Sequence, residues 1–339
     1  MHVTGVHRVL DGALDRSVVL GYTKIGPRVR RLWWPEDPGP NAMAAKRVVV
    51  TGATAGIGEA IAAGFARLGA TVHLLGRNQE KVTQSAGAIR GAVSGATVIE
   101  EVCDVADLDA VRAWTDDLSG RVDALHGLVH NAGAMPKERI ESPQGHETQL
   151  ACHVLGPHLM TERLLPLLRN AAGASVVFMS SGGMYTAPLS ADDLESVSGS
   201  YRGARAYART KRMQVVLADA WAQRLAGAAR SATSGTAADV RVESMHPGWV
   251  ETPGVAEALP MFQKLTRPLL RDTADGADTA VWLVATRPVS RAGHFWHDRA
   301  QRPTTVGWQR SEDDAVVARF LDEVSTMTKT TRNWVGSAV

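Results

Sequence analysis

The chain has 339 residues, 45% hydrophobic and 21% charged, an ordinary globular composition that fits one large domain or two small ones. Its net charge of +2 comes from dispersed arginines with no long basic block, so nucleic acid is not the expected partner. Two cysteines, Cys103 and Cys152, make neither a disulfide framework nor a zinc cluster, no apolar run approaches the ~18 residues of a membrane span, and no secretory signal is visible, which together fit a cytoplasmic protein.

Residues 1–45 precede the first strong signal and form an N-terminal arm. Leu10, Leu14, Val18, Val19, Tyr22 and Ile25 recur at helical spacing, and Pro27 is expected to end or kink that helix. The basic, tryptophan-ended run Arg28–Trp34 has two readings. It packs on the domain or a second subunit, the favoured reading, or it lies on a membrane surface.

The β-branched run Lys46–Val50 reads as a buried parallel strand. Thr51-Gly52-Ala53-Thr54-Ala55-Gly56-Ile57-Gly58 follows, then a helix over 59–68 with Ile61, Phe65 and Leu68 on one side. Gly52, Gly56 and Gly58 therefore sit on a strand-to-helix turn. Its free N–H groups suit a pyrophosphate. A second strand, Thr71–Leu75, completes a βαβ unit and is followed by Gly76-Arg77-Asn78, with no acid before Glu80. An acid there would bind ribose hydroxyls, whereas an arginine accommodates a 2′-phosphate, so NADP(H) is expected over NAD(H).

A helix over 79–89 and a third strand over 97–103 come next. Asp104, at that strand's end beside Val105, either accepts from an adenine amino group or caps the next turn. After a helix over 108–118, a fourth strand over 124–130 ends in Asn131-Ala132-Gly133, where Asn131 is placed to tie neighbouring strands together. One long helical pattern spans 145–168, with Pro157 as a kink. The fifth strand, Ala174–Met179, delivers Ser181 to a carboxyl end, where ligands bind in open α/β sheets.

A helix over about 204–225 carries Tyr207 and Lys211. Four residues apart, they share a helical face with Cβ atoms roughly 5–6 Å apart. An ammonium beside a phenol favours the phenolate and makes it a general acid/base. Lysine is scarce here, seven in the whole chain, and position 211 is lysine although Arg205, Arg209 and Arg212 surround it. A compact ammonium and a guanidinium fork are not interchangeable. Residues 226–238, rich in Ala, Gly and Ser, read as a surface loop, and Val240–Met245 as the sixth strand. His246-Pro247-Gly248-Trp249 and Thr252 follow. The stretch 254–272 suits a substrate lid, 276–286 a last core helix, and 293–298 a seventh strand. His294 and His297 do not share a strand face and no third ligand is near, so no metal site is expected.

Strands alternating with helices imply one α/β domain, a Rossmann-type, doubly wound, mostly parallel seven-stranded sheet with helices on both faces. Residues 46–310 would form it, with the lid at about 250–275 and a C-terminal helix and tail over 311–339. The glycine turn, Asn131-Ala132-Gly133, Ser181, Tyr207 and Lys211, in that order, resemble the short-chain dehydrogenase/reductases. The resemblance implies hydride transfer between a nicotinamide and a carbinol carbon, here of a lipophilic alcohol or ketone. It implies Tyr207 as acid/base, Lys211 lowering its pKa and bonding the ribose, Ser181 holding the substrate oxygen, and Thr252, after Pro247 and Gly248, bonding the carboxamide. Where the family usually has an asparagine on the fifth helix, this chain has His153, which would either tune a proton relay, titrating near neutrality, or mark weakened catalysis. The family also implies a homodimer or homotetramer, with Val215, Val216, Ala218 and Ala222 as contact residues. The alternative to an enzyme is a regulatory or scaffold protein that binds the nucleotide with little turnover; intact Ser181, Tyr207 and Lys211 favour the enzyme.

Overall fold

Along β1 (Arg47–Thr51), Val48 and Val50 belong to one apolar cluster and Val49 to another. A strand's side chains alternate between faces, so both faces of this strand are covered. The remaining strands are β2 (Thr71–Gly76), β3 (Thr97–Val102), β4 (Gly127–His130), β5 (Ala174–Met179), β6 (Val240–Met245), β7 (His294–His297) and β8 (Ala300–Pro303). They form one sheet in the order β3-β2-β1-β4-β5-β6-β7-β8. All pairings are parallel except β7 with β8. The computed structural model describes residues 5–231, 239–252, 260–291, 294–306, 309, 311–332 and 334.

On one face, Ile61 and Phe65 of α4 (Gly56–Arg67), Val82 and Ile89 of α5 (Gln79–Ala92) and Trp282 of α11 (Thr273–Thr286) pack against Val48, Leu74 and Val177. On the other, α6 (Leu108–Arg121), α8 (Gly156–Asn170), α9 (Gly203–Ser231) and α12 (Asp314–Thr328) pack around Val49, Leu128 and Phe178. The chain order reverses between β1 and β4, which opens a crevice at their carboxyl ends.

The eighth strand is an addition to the expected seven. Asp298 and Arg299 join β7 to β8 with φ of 50° and 55°. A two-residue turn with both φ positive matches strand twist, but normally announces itself by Asn-Gly or Asp-Gly. Here buried ion pairs hold it instead: the Asp298 carboxylate accepts from Arg30 and Arg271 at 2.7 and 2.6 Å.

The arm departs from its expected single helix. It forms α1 (Gly5–Arg16), α2 (Val18–Tyr22) and α3 (Ile25–Arg30). Pro27 lies in the first turn of α3, where an N–H has no intrahelical acceptor to lose, so it starts a helix rather than ending one. The apolar stripe packs only in part: Tyr22 is buried and Leu14 and Ile25 half-buried, but Leu10, Val18 and Val19 are exposed. Polar groups also dock the arm. Arg30 reaches Asp11 and Asp298, and Arg302 holds Asp11. The Arg299 guanidinium stacks over Trp34 at 4.7 Å.

Two helical expectations also change. The long helix begins at α7 (Thr148–Leu150) and passes through a π-helical turn (Ala151–Leu155) before α8. Pro157 has no N–H for the ladder, and the helix widens just before it: Gly156 N–H bonds the Ala151 carbonyl. The tyrosine helix runs on to Ser231, because the alanines read as loop are strong helix formers; residues 232–238 lie outside the described residues. Of the expected lid, 253–259 also lie outside, and α10 (Pro260–Thr266) is helical.

Two of the four expected subunit-contact residues are buried within the chain. Val215 is buried with Met184 and Phe295, and Ala218 in the larger core against which Val216 and Ala222 pack partly. A cavity of about 430 Å³, lined by Val216, Ala220, Val317 and Leu321 among others, separates α9 from α12.

Candidate active site

Thr51 ends β1 with its hydroxyl inward. It bonds the Val129 carbonyl at 3.3 Å and accepts from the Asn131 and Ala132 N–H groups at 3.0 Å each. The Asn131 amide donates to the Thr51 and Gly52 carbonyls at 3.0 and 3.1 Å. Thr51 and Asn131 thus lock the glycine turn to the end of β4. A Cβ at Gly52 would fall 2.7 Å from the Ala132 Cα, and φ there is +63°, so only glycine fits. Helix α4 then starts at Ala55 with no side-chain cap, leaving the first N–H groups of α4, at Gly56, Ile57 and Gly58, directed at the crevice. Thr51 was missed at the sequence level; a hydroxyl immediately before the first glycine was the available signal.

Arg77 is exposed at the carboxyl end of β2, just after Gly76, whose Cα packs on Thr54. Asn78 caps α5 by accepting from the Lys81 N–H at 2.9 Å. Asp104 accepts from the Ala106 N–H at 2.9 Å, so it does cap its own turn.

The tyrosine helix is anchored to β5 through its lysine. The Lys211 Nζ donates to the Met179 carbonyl at 2.8 Å and to Gln214 Oε1 at 2.9 Å, and Ser180 donates to the Lys211 carbonyl at 2.8 Å. The same ammonium stands 5.3 Å from the centre of the Tyr207 ring. Burial pushes Lys211 down to about 8, so it remains largely charged at neutral pH. Burial raises the Tyr207 phenol, and a hydrogen bond with Ser181 opposes that rise. The net direction is upward, opposite to the expected lowering, because burial of the phenol is the largest influence on it. Ser181 itself caps the next turn, accepting from the Gly183 N–H at 3.1 Å.

His153 overturns one expectation. Its Nε2 accepts from the Ala134 N–H at 3.1 Å, which puts the ring proton on Nδ1, facing the Thr210 hydroxyl at 2.8 Å. Burial, then the charge on Lys211, holds its pKa well below the ordinary histidine value. A ring with both nitrogens occupied and no tendency to charge does not titrate near neutrality. It stands edge-on to the Tyr207 ring, centroids 5.5 Å apart. Its partners are 19 and 57 residues away, beyond any local sequence pattern.

At the other end of the crevice, Gly248 takes φ +80° beneath Arg271. Arg271 bonds the Pro247 carbonyl at 3.2 Å.

A glycine turn on β1, Ser181 after β5 and a Tyr–Lys pair on one helix define a dehydrogenase of the short-chain type, and residues 46–190 match the short chain dehydrogenase family. The chain belongs to the short-chain dehydrogenase/reductase family. It is 34% identical over 253 residues to dehydrogenase/reductase SDR family member 12 of Homo sapiens, covering 74% of this chain and 76% of that protein. It is 30% identical over 320 residues to Homo sapiens retinol dehydrogenase 14, covering 88% and 90%. Among solved structures it is similar to a proposed NAD(P) dependent gluconate 5-dehydrogenase from Beutenbergia cavernae with NADP bound at low occupancy. That likeness has a TM-score of 0.57 and 25% identity, over 72% of this chain and 91% of the other. An oxidoreductase acting on alcohols follows from the family.

Proposed function

We propose that the protein is an NADP(H)-dependent oxidoreductase that interconverts an alcohol with a ketone or aldehyde on a lipophilic substrate. The observation that carries this reading is the buried Tyr207 on one helical face with Lys211, whose ammonium stands 5.3 Å from the centre of its ring. The chain's residues fit a dinucleotide, since a Cβ-free cradle at Gly52 adjoins an uncapped helix start. Gly52, Thr54, Ala55, Gly56, Ile57 and Gly58 would hold its pyrophosphate, and the unpaired Arg77 its 2′-phosphate. Asp104 and Val105 would border the adenine and Asn131, Ala132 and Gly133 the middle, with Pro247, Gly248 and Thr252 at the nicotinamide end. When bound, the nicotinamide supplies or accepts the hydride.

The protons are the protein's task. Ser181 holds the substrate oxygen in hydrogen-bond reach of Tyr207. Because burial favours its protonated form, Tyr207 is suited to donate to the carbonyl oxygen during reduction. Lys211 keeps a positive charge beside the ring and retains a donor for the ribose. His153, neutral and doubly bonded, keeps Tyr207 in place by joining the end of β4 to its helix and does not carry protons. Exposed Val6, Val9, Leu10, Val18 and Val19, beside Arg8 and Arg16, support peripheral contact with a membrane surface, where a lipophilic substrate partitions. The similarity to a retinol dehydrogenase supports the same substrate class.

The test is Tyr207→Phe, assayed by NADPH absorbance against an alcohol and ketone panel. Turnover should fall by about 10²–10⁴ with cofactor binding retained. Full activity in that variant would overturn the reading.

A further inference from the structure

We infer that Tyr22, in the N-terminal arm, is a positioning residue of the active site, setting the turn after Ser181 against the turn that carries Pro247, Gly248 and Trp249. This rests on the reading of Ser181 as the holder of the substrate oxygen. The two turns leave the carboxyl ends of β5 and β6, and nothing in the sheet fixes their separation beyond the last ladder bonds.

Tyr22 is wedged between them. Its ring lies against the Gly182 backbone so closely that a Cβ at Gly182 would overlap the ring edge. On its other sides the ring meets His246 at 4.4 Å and Trp249 at 6.2 Å between centroids. Its carbonyl accepts from the Trp249 N–H at 2.7 Å and from Arg271 Nε at 2.9 Å. Arg271 extends the brace, donating to the Gly21 carbonyl at 2.6 Å and to the Pro247 carbonyl at 3.2 Å. Two residues on, Lys24 N–H bonds the Leu269 carbonyl at 3.0 Å. The arm therefore grips the chain both at 249 and at 269–271, on either side of the substrate segment. Side-chain size at 182 and ring presence at 22 compete for one space. The arm becomes a component of the catalytic geometry.

The test is a double-mutant cycle on Tyr22 and Gly182 with NADPH and the best ketone of a panel. Gly182→Ala should drive the ring and the Ser181 turn apart and lower kcat about 10²-fold, the size of an ångström misplacement. Tyr22→Ala should lower kcat about tenfold, and Tyr22→Phe, which keeps the ring, should remain within about threefold of the parent. Tyr22→Ala/Gly182→Ala, in which the new methyl takes the vacated space, should regain at least about tenfold over Gly182→Ala alone. NADPH affinity by fluorescence titration should hold across the set, as a general loss of structure would not allow. Additive losses in the double variant, or parallel losses of NADPH affinity, would overturn the inference. Ser181→Ala separates it from the reading beneath it. An active Ser181→Ala defeats the site assignment, whereas an inactive one beside an uncoupled Tyr22–Gly182 pair defeats only the brace.

Discussion

Asp298→Asn removes the negative charge between Arg30 and Arg271 and turns one of the two accepting oxygens into an NH2 donor, with little change in volume. Asparagine is nearly isosteric and tolerates the left-handed backbone that Asp298 adopts at φ 50°, so the turn between β7 and β8 carries no new strain. What changes is the balance around two guanidinium groups, Arg30 and Arg271, each 1% exposed. Arg30 keeps Asp11 at 2.8 Å, whereas Arg271 keeps no other carboxylate within ion-pair distance among the described residues. Breaking a buried pair and leaving one charge uncompensated costs about 3–5 kcal/mol. That is a large share of the roughly 5–15 kcal/mol that holds a domain folded. The assay is urea unfolding followed by tryptophan fluorescence. Asp117→Asn serves as control: Asp117 is 63% exposed and pairs with Arg121 one helical turn away, so it should cost less than about 0.5 kcal/mol. A loss at Asp298 no larger than that of the control would refute the argument that the cluster docks the arm.

Arg77→Ala should weaken NADPH at least about tenfold and leave NADH nearly unchanged, since a charge-assisted bond contributes on the order of 1.5–3 kcal/mol; equal losses for both would remove Arg77 from cofactor choice. His153→Asn should change the rate without changing the shape of the pH–rate profile between about pH 6 and 8, because the buried ring is already neutral there; a step lost near the imidazole range would restore the relay. Burial opposes the charge of Glu101, yet hydrogen bonds from His73, Arg121 and Trp114 hold its pKa down to about 2. A depressed carboxylate stabilises the fold above its unfolded pKa and loses that contribution as pH falls through its folded value. Glu101→Gln should therefore cost on the order of 2 kcal/mol near neutrality, allowing for solvent around the half-exposed Arg121, with the gap closing from about pH 4.5 to 2 in acid-series denaturation.

The parallel core was legible because each buried strand is a short apolar run punctuated by a turn, and β5 and β6 fall on the expected residues. What was hidden depends on partners far along the chain. Asp298-Arg299 carries no glycine, so its hairpin can be seen only once Arg30 and Arg271 are known to meet it. His153 looked like a free imidazole in sequence, whereas Thr210 and Ala134 consume both nitrogens. The same holds for Tyr22, which the arm's apolar period included without singling it out from residues that stay exposed. Pro157 did mark a disturbance, although it widened the helix rather than bending it to a stop.

The arm's docking has a consequence for how the chain reaches its folded state. Arg30 and Asp298 are separated by 268 residues, and Tyr22 and Arg271 by 249. Such distant pairings are slow to form. During synthesis at roughly 5–20 residues per second, the arm leaves the ribosome tens of seconds before its partners exist. The βαβ units can pair in order of emergence, but the turn after Ser181 gains its outer support only at the end. The nascent chain then holds a sheet able to accept nucleotide before it holds a finished catalytic geometry. Throughout that interval Tyr22 and Arg30, both buried in the finished fold, are carried on a segment whose partners have not yet been made.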